Sequence, residues 1–426
     1  MNLEEYVDGL DREESIEVRK LAEEKSYAIT EYLDDARTRL DETLSGATMV
    51  GSTAPSVFVG RSRYPDVSAG LLAPVGDEAD AADYATTSEW YRQGYSIDDV
   101  FQRRTGLLNS TRRSNVDVHD VWDGFVGTQR EVAIADRPVD IELGLDDSPG
   151  FDLDGSLEDI AAPRGPRASA DTARVTENPS VPRAIEKTLS DDDWRAEGAI
   201  TYLYRRGFDV YEINNVLSVG ALGRGENRRL VPTRWSITAV DDTVGQYLRG
   251  TIRNAPSIDR TLVWHNSYMG NEYWIVAAPG DWEFELLELK APGSIWNPDP
   301  DGRLYMAADS EGYEGRTGYV EETAGAYYAA RLAVLEELAD RDRQATVFVT
   351  RHATSEYWAP VGVWQLRESI RDAFATEPAV AETFHGAVRK LVPKLPVSMA
   401  DLRRKSTLAA GIQSDLSTFG GGIGGD

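Results

Sequence analysis

The sequence predicts an α+β fold. Runs with helical spacing of apolar residues are interspersed with short β-branched and aromatic runs, and no internal repeat is visible. With 426 residues and 41% hydrophobic content, the chain can build one large body or two to three domains. The expected organisation is a large region over 1–295, a smaller helix-rich region over 300–410, and a flexible tail over 411–426. A long loop or insertion is expected at 144–180.

Residues 12–44 carry Ile16, Leu21, Ile29, Leu33 and Leu40 on a helical stripe, with Gly46 near its stop. Ser56–Gly60 reads as a short buried strand, running into the Gly/Pro-rich stretch Arg61–Gly76. Helices are expected at 79–93 and 96–109. Residues 144–180 are rich in Asp, Gly, Pro, Ala and Ser without an apolar period, hence the loop. Helical spacing returns over 181–206, breaks at Gly207 and resumes over Val210–Leu217. Val231–Thr238 reads as a loop entering a strand, because Val, Thr, Trp and Ile follow Pro232. Strands are expected within Thr261–Lys290 and at Thr346–Thr350, with helices at 320–340, 362–375, 379–391 and 398–410.

Composition narrows the function classes. There is no cysteine, which excludes disulfides, thiolate metal sites and a cysteine nucleophile. Neither a signal-peptide core nor an apolar run of membrane-spanning length is present, so the expectation is a soluble, cytoplasmic protein without a membrane partner. The net charge is −27, and most of the basic residues are arginine. An acidic, lysine-poor surface suits a highly saline cytoplasm, where hydrated carboxylates maintain solubility. At molar salt the Debye length is about 3 Å, so charge barely acts beyond contact and apolar recognition is favoured.

The last residues offer such recognition. Gln413, Leu416 and Phe419 stand three apart, followed by Gly420–Asp426. In a 3₁₀ turn, side chains at i and i+3 eclipse, so Leu416 and Phe419 would form one apolar plug with the Gln413 amide beside it. This segment resembles the clamp-interacting peptide (PIP box) that binds the sliding clamp PCNA, with Gly420 in place of the second aromatic.

A wider resemblance covers nearly the whole chain. Gly60-Arg-Ser-Arg-Tyr-Pro65 through Pro74, Arg104-Thr-Gly-Leu-Leu-Asn-Ser110, Leu230-Val-Pro-Thr-Arg-Trp-Ser236 and the terminal peptide are similar to the archaeal Nre family of DNA repair proteins. The resemblance implies a role in DNA damage repair through contact with the clamp, carried by Gln413, Leu416 and Phe419. Many members begin with a four-cysteine zinc knuckle; this chain has no cysteine, so no zinc of that kind is expected. The family supplies no catalytic residue set.

Two readings of the body remain open. In the first it is a non-catalytic adaptor or DNA binder. Arg61, Arg63, Arg104, Arg112, Arg113, Arg224, Arg228, Arg229 and Arg234 cluster in Gly-rich loops and at helix ends, where guanidinium groups and backbone N–H groups can meet phosphate. In the second it is a Mg²⁺-dependent nuclease, with Asp281 and Glu288 as hard oxygen ligands and Lys290 two residues along the same strand face activating water. Residues 195–222 have a helix-turn-helix outline, but the second helix lacks Arg and Lys and reads as core. Gly220-x-x-Gly223-x-Gly225 is not a dinucleotide fingerprint, and no Walker A loop is present. The four histidines lack ligand spacing.

Overall fold

Two six-stranded mixed sheets organise the chain. The computed structural model describes residues 47–411 apart from 55, 76–80, 120, 151–164, 298 and 300, together with 34, 38 and 39. Of the one or two helices expected over 12–44 only residues 34, 38 and 39 are described, and the terminal peptide lies outside the described residues.

The first sheet contains β1 (Thr48–Thr53), β2 (Val57–Val59), β3 (Asp66–Pro74), β4 (Leu107–Asn115), β5 (Val139–Leu145) and β6 (Arg167–Val175), in the spatial order β1-β5-β6-β4-β3-β2. Only β4 and β6 run parallel; the other neighbours are antiparallel. Residues 167–175 therefore correct the expected loop at 144–180. Its buried positions are Ala168, Ala170 and Ala173, small residues of low strand propensity, which hide the alternation. Seven helices lie among or after these strands in the chain: α1 (Glu89–Arg92), α2 (Ile97–Thr105), α3 (Gly124–Ile134), α4 (Arg183–Ser190), α5 (Ala196–Arg205), α6 (Val210–Ser218) and α7 (Thr233–Ile252).

The second sheet contains β7 (Thr261–Tyr268), β8 (Asn271–Ala278), β9 (Glu283–Lys290), β10 (Tyr305–Glu311), β11 (Thr346–Ala353) and β12 (Ala379–Ala381), ordered β10-β9-β11-β8-β7-β12. Around it lie α8 (Gly325–Asp340), α9 (Val363–Phe374), α10 (Phe384–Leu391), α11 (Met399–Lys405) and α12 (Thr407–Ala410). Because β9 pairs with both β10 and β11, this sheet straddles the break expected at 295–300.

Both faces of the second sheet are covered. Tyr273, Ile275, Phe284 and Leu286 join the main core with α7, α8 and α9, a core that continues into the first sheet. On the opposite face Val276, Leu287, Leu289 and Phe348 pack against α10–α12. Covered on both faces, Glu283–Lys290 is buried along most of its length even though Glu283, Glu285, Glu288 and Lys290 interrupt its apolar residues.

Helix α7 overturns the strand expected after Val231. Ser236, Val240, Val244, Leu248 and Ile252 recur every four residues and are all buried, so the 3.6-residue period outweighs the β-branched run at its start. Pro232 at the N-cap sets the entry, with its carbonyl accepting from Trp235 N at 2.7 Å and Ser236 N at 3.0 Å. The start of this helix, rather than a strand, therefore carries Arg234 and Trp235.

Candidate nucleic-acid interface

Three loops distant in sequence are laced together beside the first sheet. The Pro65 carbonyl accepts from Val116 N at 2.9 Å, and the Val116 carbonyl accepts from Leu230 N at 2.8 Å. Thr233 Oγ1 accepts from Val59 N at 2.9 Å, tying the end of β2 to the first residue of α7. The runs Gly60–Pro65 and Leu230–Ser236, which carry the family resemblance, thus meet at one place.

Their meeting brings two exposed rings into contact. Tyr64 and Trp235 lie 5.4 Å apart between ring centroids, tilted by 52°. They remain 52% and 45% exposed, respectively. Arg61, Arg63 and Arg234 surround them in sequence, are exposed, and have no side-chain hydrogen bond or ion pair among the described residues. Arg63 takes a left-handed backbone, φ 66°, in the turn ahead of the cis Tyr64–Pro65 bond.

The other expected arginines divide by environment. Arg224 is exposed and unpaired among the described residues. It lines an open cleft of about 340 Å³ with Arg195, Asn227, Arg229 and Val231. Arg113 is likewise exposed and unpaired. Arg112 pairs with Asp171 at 3.0 Å, and Arg229 donates to Asp117 at 3.0 Å. Arg228 is buried, donating to the carbonyls of Gly223 (3.1 Å) and Thr188 (3.2 Å) with Asp192 at 3.4 Å, so it holds the loop rather than a ligand. Arg104 lies elsewhere, donating to the Val361 carbonyl at 2.7 Å; burial lowers its pKa to about 10. Arg104 and Arg228 are thus corrected from phosphate candidates to structural donors.

A buried cation missed in the sequence supports the junction. Arg130 on α3 donates to the carbonyls of Val118 (2.6 Å) and Val121 (2.8 Å) and reaches those of Val219 and Gly220 at 3.4 Å. Burial, and then the proximity of Arg228, lower its pKa to about 10. Gly220 is required here: its φ is +67°, and a Cβ would stand 2.7 Å from the Arg229 carbonyl. Nothing in the sequence around Arg130 marks this role. The Tyr64–Trp235 pair had a signal, an aromatic beside arginine in each of two segments, but their contact requires the fold.

The nuclease set does not assemble. Glu288 and Lys290 share a face of β9, with Lys290 Nζ 3.3 Å from Glu288. The other Glu288 oxygen accepts from Arg351 at 2.9 Å, inside a network in which Arg351 also donates to Asn271 at 2.9 Å. Asp281 lies in the exposed turn before β9, seven residues from Glu288 and so roughly 20 Å away along the extended strand. Glu288 is 3% exposed and compensated by two cations, which makes it an interior ion pair rather than a metal ligand. Among the described residues, no group of three or more His, Asp or Glu is placed to hold a metal ion. Nor, among them, is any helix long and apolar enough to cross a membrane.

The site is a solvent-facing aromatic and guanidinium surface on an α+β scaffold, the kind of surface nucleic-acid-binding proteins present. Comparison places it within a family: residues 21–297 match the model described as archaeal Nre, N-terminal, and residues 311–419 that of archaeal Nre, C-terminal. The chain belongs to the archaeal Nre family. It is 62% identical over 420 residues to the DNA repair protein NreA of Haloferax volcanii, covering 98% of this chain and 100% of that protein. It is 35% identical to DNA repair protein NreA of Archaeoglobus fulgidus over 350 residues, 82% of this chain and 86% of that one. To DNA repair protein NreB of the same organism it is 33% identical over 360 residues, 84% and 88% of the two chains. No solved structure matches.

Proposed function

We propose that this chain is a cytoplasmic DNA repair protein, brought to DNA by docking Gln413, Leu416 and Phe419 on the sliding clamp PCNA. The observation that carries this reading is the terminal peptide, in a chain similar along nearly its whole length to a protein named for DNA repair. An apolar plug suits an acidic protein in strong salt, where long-range charge attraction is screened. The exposed arginines of the loop junction give the body a means of meeting DNA. The Mg²⁺-nuclease reading lacks comparable support, because Asp281 stands apart from Glu288 and both Glu288 oxygens have cationic partners.

Calorimetric titration against the cognate clamp at molar salt tests the reading. The full chain should bind, and a version ending at Gly411 should not. Phe419→Ala should weaken binding by about 2 kcal/mol or more, as expected for a central aromatic anchor. Gly420→Phe, which supplies the second aromatic, should tighten it. Equal affinity with and without residues 412–426 would overturn recruitment by the tail.

A further inference from the structure

Tyr64 and Trp235 stand 171 positions apart in sequence (235 − 64), yet the described ring contact of each is the other. A pair serving the core would be buried; this one leaves about half of each side chain in water. Neither the Tyr64 hydroxyl nor the Trp235 indole N–H has a hydrogen-bond partner among the described residues. The flanking charges are equally uncommitted. In a chain with 72 acidic and 45 basic residues, Arg61, Arg63 and Arg234 remain without carboxylates, whereas Arg112, Arg228 and Arg229 nearby are met by Asp171, Asp192 and Asp117. Unpaired guanidinium groups beside free rings, on a strongly acidic protein, point to an anionic ligand with aromatic faces.

We infer that this patch binds single-stranded DNA, with unstacked bases on Trp235 and Tyr64 and phosphates on Arg61, Arg63 and Arg234. The choice of DNA rests on the repair reading above; the site itself does not depend on the tail. Single strands fit better than duplex because an aromatic ring offers a face, and in a duplex each base face is already covered by its neighbour. Salt argues the same way. Counterion release, the main drive for binding duplex backbone, fades at high ionic strength, while stacking persists. A separate open cleft, lined by Arg195 and Arg224, has Val231 on its wall, four residues before Trp235 in sequence. Helix α5 begins there at Ala196 without a capping side chain, leaving its first N–H groups available to phosphate along with the two arginines.

The test is fluorescence anisotropy with the full-length chain at molar salt and at stepwise lower salt. The probes are a labelled oligothymidylate of about 20 nucleotides, a duplex of the same length and the corresponding oligouridylate. The single-stranded DNA should bind more tightly than the duplex or the RNA and should quench tryptophan fluorescence. Trp235→Ala should weaken binding by about tenfold or more, and Trp235→Phe should restore most of it. Arg61→Ala with Arg63→Ala should flatten the dependence of log affinity on log salt by about 1.4, two single-strand phosphate contacts. Melting temperatures of the arginine variants and of Trp235→Phe should match the parent, and Trp235→Ala, which loses the half-buried ring contact with Tyr64, should melt only slightly lower. The proposal is overturned by unchanged affinity in Trp235→Ala, by stronger binding of duplex or RNA, or by no binding of the oligothymidylate. Clamp titration of Trp235→Ala should remain at the parent value, so failure of this patch and failure of the tail are seen separately.

Discussion

Asp241 and Arg367 show what one buried charge does in this chain. Asp241 on α7 and Arg367 on α9 are 1% and 2% exposed, and one guanidinium nitrogen lies 2.6 and 2.5 Å from the two carboxylate oxygens. In a separate buried network, Arg331 on α8 donates to Glu311 at 2.9 Å and pairs with Asp242 of α7. Removing one member of such a pair leaves its partner charged and shut away from water, which costs about 3–5 kcal/mol, whereas replacing both by apolar groups of similar volume is often neutral. Asp241→Ala should therefore lower the melting temperature by several degrees, and Asp241→Leu with Arg367→Met should recover most of the loss. Thermal melts at molar salt check this; equal melting of the parent and Asp241→Ala would show that the pair contributes nothing. At the junction the opposite logic holds: Arg61, Arg63 and Arg234 are exposed, so truncating them should leave stability unchanged.

At the scale of elements, the root of the tail is held by a residue far from it in sequence. Glu285 on β9 is buried and accepts from Ser406 Oγ at 2.9 Å and from Thr407 N and Leu408 N at 2.8 Å, satisfying the first donors of α12. Glu285→Ala leaves those donors unmet, at a cost of about 1–3 kcal/mol. Amide exchange over 407–410 should accelerate while β9 and β11 keep their protection, and clamp affinity should hold, since the docking peptide follows α12. Unchanged exchange at Thr407 and Leu408 would refute the capping role. Burial raises the Glu285 carboxyl above its usual range, against the lowering effect of its three donors. The folded state then holds a proton that the unfolded state has released, so this contribution to stability falls as pH rises through the window between the two values. Glu285→Gln should remove that slope. Elements with long periods were legible in the sequence: α8, α9 and β11 lie at or within a few residues of their expected bounds. The failures have local causes. The alanine pattern of β6 resembles loop composition, and the first turn of α7 is written in strand-forming residues, so its type is settled only by the stripe that follows. The candidate interface was half legible, because the arginines stand out in sequence while their partners, and hence their freedom, depend on which aspartates the fold brings beside them.

For the molecule as a whole, the net charge of −27 sets how stability responds to salt. Most of that charge is on the surface, and its self-repulsion opposes the compact state. Screening governs the size of the effect: the Debye length grows from about 3 Å at 1 M salt to about 30 Å at 0.01 M, comparable to the dimensions of a domain. The buried pairs Asp241–Arg367, Glu311–Arg331 and Glu288–Arg351 are shut away from counterions and should change little over that range. Dilution should therefore destabilise the protein through the surface alone. The melting temperature should fall steadily from molar salt to tens of millimolar. A sulfate salt should protect more than chloride at equal ionic strength, because sulfate also strengthens apolar burial. Asp241→Ala should show the same salt slope as the parent, displaced to lower temperature, since its defect is buried. If melting is independent of salt, or if the variant's slope is the steeper, then surface repulsion is not what limits this fold. The acidic composition would then need an explanation in partner binding rather than in the saline solvent.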